Sequence, residues 1–453
     1  MKKILEKLIS IPKITYADVR IEERETTSIL FRGKNLEKIE KKEERGGIIR
    51  FFINGNWGYV SFNKINGSLE NVLKGVVKAT KKLPRRERSL FLLPPFKKVI
   101  NIEKDKDPRR TPLEVKKELL ERYNQILLKP EKIVSTVSIY QDMYIKKVFL
   151  STEGRYIEEE RNYEGIGLTA IAKDGSNIQT YSRAFGKRKG FKYLKDKEEI
   201  AENVAKTAVD LLSAEPVSAG VYTVIVDPLL AGIFIHEAFG HLSEGDHLQG
   251  NENLKRLMHV GKKYGVEFLN AVDDGTIKEE RGSIGFDEDG VEAKKTYLIY
   301  EGAIAGHLNS KETGYELGEA PTGNARSINY RFPPIVRMTN TIIEKGPHKK
   351  EELFDTKKAI YVIGSRGGMT ELESFVFSAQ YGYLIEKGKK KKMLRDITLS
   401  GNVFETLRNI EMIADDLIIF GGIGGCGKNG QQPLPVGLGG PHLRIKNVVI
   451  GGK

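Results

Sequence analysis

The stretch Val221-Tyr-Thr-Val-Ile-Val-Asp-Pro-Leu-Leu-Ala-Gly-Ile-Phe-Ile-His-Glu-Ala-Phe-Gly-His-Leu242 decides how the second half of the chain folds. Its first six residues are mostly β-branched and almost wholly apolar, which predicts a buried strand. Asp227 and Pro228 follow as an N-cap carboxylate and a proline at the first helical position, where its missing N–H costs nothing. The apolar residues 229–242 then predict a helix that is too short and too interrupted to cross a bilayer.

Two histidines and a glutamate end this helix, in the order His236-Glu237-Ala-Phe-Gly-His241. Two imidazoles can hold a divalent ion that lowers the pKa of a bound water, and an adjacent glutamate can take the proton. On an ideal α-helix, residues five apart are separated by about 140°, too far for one small ion. We therefore expect either a local π-turn or a helix that ends before His241, and Gly240 would ease the distortion. The alternative is a buried helix with two hydrogen-bonded histidines.

A candidate third ligand is Cys426, the one cysteine of the chain, in Gly424-Gly-Cys-Gly-Lys-Asn-Gly430. A lone cysteine excludes an intramolecular disulfide, and a thiolate suits zinc better than magnesium or calcium. Taken alone, Cys426 would be interpreted as an inert buried thiol beside a glycine-rich turn. A nucleophilic pair with His442 is less well supported, because no orienting Asn or Asp follows in a recognisable pattern.

Further blocks of sequence accompany these two motifs in a fixed order: Asp273-Asp-Gly-Thr276, Arg281-Gly-Ser283, Pro321-Thr-Gly-Asn324, Pro334-Ile-Val-Arg-Met-Thr-Asn-Thr341 and Phe375-Val-Phe-Ser378. With them the chain resembles the TldD/PmbA family, and specifically its metal-bearing TldD branch. The resemblance is dense from about Val221 to Gly452 and weaker from the N-terminus to about Ala214.

The family is a set of zinc metallopeptidases, so the resemblance implies a Zn²⁺ enzyme that hydrolyses peptides or unfolded protein segments. His236 and His241 match its imidazole ligands, Cys426 its thiolate ligand and Glu237 its general base. The fourth metal position would hold water or the scissile carbonyl, and Glu237 would deprotonate that water and protonate the leaving amine. The resemblance also implies a TldE/PmbA-like partner subunit or a homodimer, with the substrate entering as an extended strand.

Other polar residues near the motifs are candidates for supporting roles. Glu244 and Asp246 could accept hydrogen bonds from the histidine rings, or could form an exposed acidic turn. Arg326 and Arg337 could bind a substrate carboxylate or a peptide carbonyl, although surface or interface ion pairs explain them as well. The remaining histidines lack ligand-like neighbours, and we expect ordinary roles for His247, His259, His307, His348 and His442.

Length and patterning predict an α+β protein of two domains. Residues 1–217 are expected to form a mixed α/β domain with an antiparallel meander, and residues 218–453 a strand-rich domain that carries the metal helix. Alternation predicts strands at Tyr16–Glu22, Thr27–Arg32, Gly46–Ile53, Trp57–Phe62, Ile133–Gln141, Tyr144–Ser151, Arg155–Tyr163 and Glu164–Lys173. Helices are expected at Met1–Lys13, at Leu69–Lys82, from a capping box at Thr111 to about Leu128, and near Glu198–Leu212, with an irregular basic link over 84–108.

The net charge is +13, from 74 basic and 61 acidic residues. Because acidic residues are interspersed through most of the chain, we interpret the charge as a solvated surface; a nucleic-acid site would need a clustered basic face with stacking aromatics. No export or membrane segment is recognisable, and a lone cysteine suits a reducing compartment. We therefore expect a cytoplasmic protein without a nucleic-acid or membrane partner.

Two functions of other classes stay open at this point. The chain could be a non-catalytic assembly subunit with a structural metal site, or a metal-dependent hydrolase of a non-peptide amide. The second alternative would use the same residues, so only substrate profiling separates it from a peptidase.

Overall fold

The structure, a computed structural model, describes Glu6, residues 10–11, 13–64 and 67–451. The helix expected at Met1–Lys13 therefore lies largely outside the described residues. The described part combines helices with large, mainly antiparallel sheets, so the predicted α+β fold class is confirmed. No helix within the described residues is long and apolar enough to span a membrane.

Within the described residues, the first half of the chain contributes seven strands and three α-helices: β1 (Ile14–Arg32), β2 (Asn35–Ile53), β3 (Asn56–Phe62), α1 (Gly67–Lys81), β4 (Phe96–Ile100), α2 (Leu113–Leu127), β5 (Ile133–Ser151), β6 (Arg155–Asp174), β7 (Asn177–Lys187) and α3 (Glu198–Asp210). The strands form one sheet in the order β3-β2-β1-β5-β6-β4, with β7 also on β6. An antiparallel meander is present as predicted, but the four strands expected between Ile133 and Lys173 are two, β5 and β6, and β7 continues it without having been predicted. Helices α2 and α3 pack on this sheet around buried residues such as Leu120 and Val204.

The strands of this sheet are longer than the alternation predicted. The segments expected at Tyr16–Glu22 and Thr27–Arg32 are one strand, because its polar middle pairs with β2 through cross-strand charges such as Glu23 with Arg45. Two other expectations are wrong. Helix α2 begins at Leu113 after Pro112, which makes no side-chain cap, so Thr111 forms no capping box. The basic link contains β4, which pairs in parallel with β6.

The second half contributes twenty strands: β8 (Glu215–Pro216), β9 (Gly220–Val226), β10 (Ala271–Asp274), β11 (Lys295–Tyr300), β12 (Ala303–Ile304), β13 (Ala325–Arg326), β14 (Ile335–Val336), β15 (Asn340–Ile343), β16 (Lys358–Ile363), β17 (Gly367–Glu371), β18 (Ser374–Ser378), β19 (Tyr381–Glu386), β20 (Lys389–Arg395), β21 (Thr398–Asn402), β22 (Ile410–Ile413), β23 (Ile418–Phe420), β24 (Cys426–Lys428), β25 (Gln431–Leu434), β26 (Gly437–Gly440) and β27 (Leu443–Gly451). Its α-helices are α4 (Pro228–Phe234), α5 (Gly245–Leu248), α6 (Glu252–Leu257), α7 (Lys311–Leu317), α8 (Lys350–Phe354) and α9 (Val403–Arg408).

These strands form a ten-stranded sheet in the order β17-β18-β21-β27-β9-β16-β19-β20-β8, with β22 on β27, and a six-stranded sheet in the order β12-β11-β10-β15-β26-β23. Strands β24 and β25 form a separate hairpin. Helix α4 packs on β26 and lies in the large apolar core of this half. The division of the chain at residues 217 and 218 stays a prediction.

The two halves of the chain are joined by buried ion pairs. Glu288 and Asp289 lie in a turn of the second half and contact Arg20 and Arg50 of the first sheet, at 3.0 Å and 2.8 Å. All four side chains are at most 7% exposed. Breaking one such buried pair would leave an uncompensated charge, so these contacts fix the first sheet against the second half.

Candidate metal centre

Strand β9 delivers the chain to the start of the metal helix. It lies between β27 and β16 in the ten-stranded sheet and ends at Val226. Asp227 then caps the helix as predicted, because its Oδ1 accepts hydrogen bonds from the Leu230 amide at 2.9 Å and the Gly364 amide at 3.1 Å. Pro228 is the first helical residue. The local sequence therefore fixes where the helix begins and in which direction it leaves the sheet.

The helix widens where the histidines lie. A π-helix covers Ile235–Gly240 and is followed by a 3-10 turn at His241–Ser243. Because π-helical hydrogen bonds join residues five apart, His236 and His241 lie on one face, with ring centroids 5.4 Å apart. Of the two expected distortions, the π-turn is therefore the one observed.

Gly240 is needed for space rather than for conformational freedom. Its φ of −57° and ψ of −47° are ordinary helical values, so the expected easing of the distortion by a flexible backbone is wrong. A Cβ at this position would lie 2.2 Å from Sδ of Met338, which is itself fully buried. The π-turn can therefore pack on Met338 only because residue 240 has no side chain.

Cys426 reaches the two histidines from the first strand of the β24–β25 hairpin. One donor atom from each of His236, His241 and Cys426 lies within 4.8 Å of the others, and Sγ of Cys426 is 3.3 Å from Nε2 of His241. His236 is 1% exposed and Cys426 6%. The Glu237 side chain is 39% exposed, and its Oε2 lies 3.8 Å from Nε2 of His241. The structure thus brings together all four residues singled out in the sequence.

The donor set fits zinc. Two imidazoles and a thiol are ligands that zinc prefers, and three protein ligands leave one position open. Within the described residues, Nδ1 of His236 is buried and has no hydrogen-bond partner. A buried polar nitrogen is unfavourable unless something binds it, so His236 has the character of a ligand more than that of a packed core residue.

The thiol and the imidazole polarise one another. Burial raises the pKa of Cys426, but hydrogen bonds and charge from His236 and His241 outweigh it and lower that pKa to about 5. Burial lowers the pKa of His241, but the Glu244 carboxylate and Cys426 outweigh it and raise that pKa to about 10. Without a metal, the site therefore holds a thiolate beside a protonated imidazole at neutral pH, and the thiolate is the form that binds metals.

Glu244 orients the His241 ring. Its Oε2 accepts from Nδ1 of His241 at 2.9 Å, which leaves Nε2 facing Cys426. Glu244 is fully buried, so an exposed acidic turn is the wrong interpretation of this residue. Burial raises its pKa, but the charges of His241 and Lys428 outweigh it and lower that pKa to about 2.

Lys428 is a member of the site that sequence reasoning missed. Its Nζ donates to Oε2 of Glu244 at 2.9 Å and to Oδ1 of Asp246 at 2.6 Å. Asp246 therefore binds this lysine rather than a histidine. The available signal was the period of a strand: Lys428 follows Cys426 by two residues and so shares its face.

Arg337 and Arg326 hold the Cys426 hairpin through backbone carbonyls. Arg337, fully buried, donates to the carbonyls of Cys426 at 2.8 Å and Gln431 at 3.1 Å. Arg326 donates to the carbonyls of Met338 and of Pro435, the latter at 2.8 Å. Neither residue forms the surface ion pair that the sequence allowed.

His442 is occupied elsewhere. Its Nδ1 contacts Oδ2 of Asp416 at 2.7 Å and its Nε2 contacts the Tyr361 hydroxyl at 3.0 Å. Both ring nitrogens are therefore taken, which excludes a nucleophilic pair with Cys426 in this arrangement.

Comparison with known proteins identifies the family of this chain. Residues 219–452 match the PmbA/TldA metallopeptidase C-terminal domain, residues 106–214 the central domain and residues 17–81 domain 1. The chain belongs to the PmbA/TldD metallopeptidase family. It is 40% identical to a metalloprotease of Synechocystis sp., over 96% of this chain and 95% of that protein. It is 30% identical to a zinc metalloprotease TldD homolog of Saccharolobus solfataricus, over 97% of each.

A solved structure shares the fold over its full length. TldE from Thermococcus kodakarensis has a TM-score of 0.82 to this chain, at 17% identity and with 100% of each chain covered. At this identity the likeness establishes the fold alone. The family membership itself rests on the sequence matches.

Proposed function

We propose that this chain is a zinc-dependent metallopeptidase that hydrolyses peptides or unfolded protein segments, as the catalytic subunit of a complex with a TldE-like partner. The observation that carries the proposal is the convergence of His236, His241 and Cys426 within 4.8 Å, beside the half-exposed carboxylate of Glu237. The relatives named metalloprotease or zinc metalloprotease support the reaction class.

Each residue of the site has a separate role in this proposal. His236, His241 and Cys426 would hold the metal, and a zinc ion bound there would acidify a water and polarise the scissile carbonyl. Glu237 lies on the accessible side, so its carboxylate can accept the proton of the attacking water and deliver it to the departing amine. Glu244 fixes the tautomer of His241 by accepting at Nδ1, which leaves Nε2 free to act as a ligand.

The remaining parts of the proposal concern the setting of the enzyme. Two chains of one fold can meet across a pseudo-twofold axis, and the full-length likeness to a TldE structure supports such a partner. A single free thiol suits a reducing compartment, which supports a cytoplasmic location. We also retain two domains, 1–217 and 218–453, as part of the proposal.

The proposal is tested by separating metal binding from hydrolysis. Glu237→Gln should keep about one zinc per chain and lose at least about 100-fold in cleavage, because it removes the proton acceptor alone. His236→Ala, His241→Ala and Cys426→Ala should lose zinc as well. Glu267→Gln is the matched control and should behave as wild type, because Glu267 is exposed and contacts the exposed Lys263 at 3.5 Å. Zinc is measured by elemental analysis, and cleavage with casein and an unfolded peptide, with and without a TldE-like subunit.

Three results would contradict parts of the proposal. Full activity of Glu237→Gln would remove Glu237 as the general base. Unchanged zinc affinity of Cys426→Ala would remove the thiolate from the ligand set. Zinc without cleavage, even with the partner subunit, would favour a structural metal site or a non-peptide amide substrate.

A further inference from the structure

A cavity of about 340 Å³ lies between the first sheet and the hairpin that carries Cys426. Its floor is formed by side chains of β1, β5 and β6, among them Thr26, Gln141 and Tyr163. Its opposite wall includes Gly424 and Leu434. Gly424 precedes Cys426 by two residues, and Leu434 is the direct cross-strand partner of Cys426. The cavity therefore shares a wall with the hairpin that supplies the proposed thiolate ligand.

Two arginines of this cavity have no acidic partner. Arg281 and Arg326 line it and are 8% and 2% exposed. Arg281 donates to the Gly424 carbonyl at 2.9 Å, and Arg326 to the carbonyls of Pro435 and Met338. Neither forms an ion pair with a carboxylate of the described residues. Burial of each guanidinium lowers its pKa to about 10, which reflects a charge that the surroundings do not fully neutralise.

The acidic groups that act on these two arginines offset only part of their charge. Tyr163 acts on both, and its ring centroid lies 5.8 Å from the Arg281 guanidinium, but a phenol is a weaker counter-charge than a carboxylate. Glu164 acts on Arg281, but burial raises the pKa of Glu164 to about 8, so it is protonated at neutral pH. Asp273 offsets part of the charge of Arg326 without contacting it, because its two oxygens are held by hydrogen bonds from Asn324, from the amide and hydroxyl of Thr339, and from Thr341.

The acids that line the cavity itself are also engaged. Glu288 contacts Arg20 and Lys147. Asp142 contacts Lys116 at 2.5 Å and Glu40 contacts Lys38 at 2.7 Å. The other cations that line the cavity already have acidic partners; they are Arg24, Lys38, Lys147 and Arg161. Nε of Arg161 is nevertheless buried without a hydrogen-bond partner within the described residues. The cavity thus has an excess of buried positive charge.

Bracing of the hairpin does not explain this excess. A carbonyl needs only an N–H donor, which a neutral amide side chain would provide without the cost of burying a charge. Two cations that face one cavity are unfavourable unless an anion enters it. The planar fork of a guanidinium matches a carboxylate, and polar floor residues such as Thr26 and Gln141 suit a hydrated, charged group.

We propose that this cavity binds a carboxylate of the peptide substrate, held by Arg281 and Arg326, and thereby selects peptide bonds close to an acidic side chain or to the C-terminus. The selection of bonds rests on the proposed peptidase function, whereas the binding of the carboxylate does not. Gly424 and Leu434 place this anion site next to the metal hairpin, so the carboxylate would lie within a few residues of the scissile bond.

The test uses four peptides of one sequence, with Glu or Gln at a central position and with a free or an amidated C-terminus. Binding to the Glu237→Gln chain is measured by calorimetry, so that cleavage does not interfere. Two of the peptides carry a single test carboxylate: the Glu peptide with an amidated C-terminus and the Gln peptide with a free C-terminus. At least one of these two should bind at least about tenfold more tightly than the Gln peptide with an amidated C-terminus. Arg281→Gln and Arg326→Gln should bring that ratio towards one, whereas Arg281→Lys should retain part of it. Arg366→Gln, an exposed arginine that donates to the Thr180 carbonyl, is the matched control and should keep the ratio.

The outcomes separate this proposal from the peptidase proposal. A preference for Glu over Gln assigns the cavity to an acidic side chain, and a preference for the free C-terminus assigns it to the α-carboxylate. Equal binding of all four peptides overturns the anion site, even if the arginine variants fail to fold, and leaves the peptidase intact if wild type cleaves them. Selective, arginine-dependent binding without any cleavage by wild type, even together with the TldE-like subunit, would retain the anion site and refute the peptidase.

Discussion

Replacing Lys428 by methionine should destabilise the metal-free protein far more than replacing a surface lysine. The Lys428 side chain is 5% exposed and contacts Glu244, which is fully buried, and Asp246, which is 22% exposed. Lys428→Met keeps the aliphatic stem but removes the cation that the two carboxylates share, which leaves Glu244 with His241 as its one charged partner among the described residues. Removing one partner of a buried pair typically costs about 3–5 kcal/mol. Lys392→Met removes an equivalent pair with Glu215 in which both side chains are more than half exposed, and should cost at most about 1 kcal/mol.

The free energy of unfolding is measured by urea denaturation of the metal-free variants, followed by fluorescence and circular dichroism. A third variant, Lys428→Met with Glu244→Gln, should recover part of the loss, because it neutralises the more deeply buried of the two carboxylates that Lys428 contacts. If Lys428→Met and Lys392→Met were equally stable, the lysine would not be compensating buried charge. If the double variant recovered nothing, the cost would come from lost packing rather than from Glu244.

Two further predictions follow from the same site. Because His241 has a pKa of about 10 and Cys426 a pKa of about 5 without metal, zinc binding between pH 6.5 and 7.5 should release about one proton, and zinc affinity should rise about tenfold over that unit. Calorimetry in buffers of different ionisation enthalpy counts the protons, and a release of two would contradict the assignment of one thiolate and one imidazolium before zinc binds. Gly240→Ala should destabilise the protein through its clash with Met338, despite a helix-propensity gain of about 1 kcal/mol. Gly75→Ala, in open space on α1, should show that gain in thermal unfolding, and stabilisation by both substitutions would refute the packing argument.

The local part of the site could be predicted from the sequence because it depends on neighbouring residues. Asp227 and Pro228 specify a helix start through an N-cap carboxylate and a missing N–H, and the structure has both. The five-residue spacing of His236 and His241 required a distortion, and the π-turn supplies it. What the sequence left open was which distortion occurs. It also did not show that Gly240 packs on Met338, because that residue is distant in the chain.

The long-range part could not be derived from spacing. Nothing near Cys426 indicates that its hairpin folds back on the metal helix, and the family resemblance alone suggested it. Lys428 and Glu244 were unpredictable as a pair for the same reason. The predicted strands of the first sheet are too short because the polar middles of the real strands resemble turns in the sequence. In the structure, cross-strand charge pairs such as Glu23 with Arg45 continue the ladder. Pairing of this kind appears in a sequence only when the register is known.

Three of the five sequence blocks that accompany the metal motif belong to a single hydrogen-bonded network that ends at Cys426. Asp273 accepts from the Thr339 amide and from the side-chain amide of Asn324, at 2.8 Å and 2.9 Å. The backbone carbonyl of Asn324 accepts a hydrogen bond from the backbone amide of Arg337 at 2.8 Å. The Arg337 side chain in turn donates to the backbone carbonyl of Cys426. Three separate blocks thus converge on the backbone of the thiolate ligand.

This network places the thiolate with the same rigidity that the π-turn gives the two imidazoles. The histidines are held from one side by α4 and Met338, and the cysteine from the other by buried arginines and Lys428. A site assembled from two distant segments needs both to be rigid, because a ligand that moves by about 1 Å loses the geometry that tunes a metal. The buried charges around the hairpin are therefore best understood as support for Cys426. Arg281 and Arg326 differ from Arg337 because they also line the cavity, where an anion can reach them.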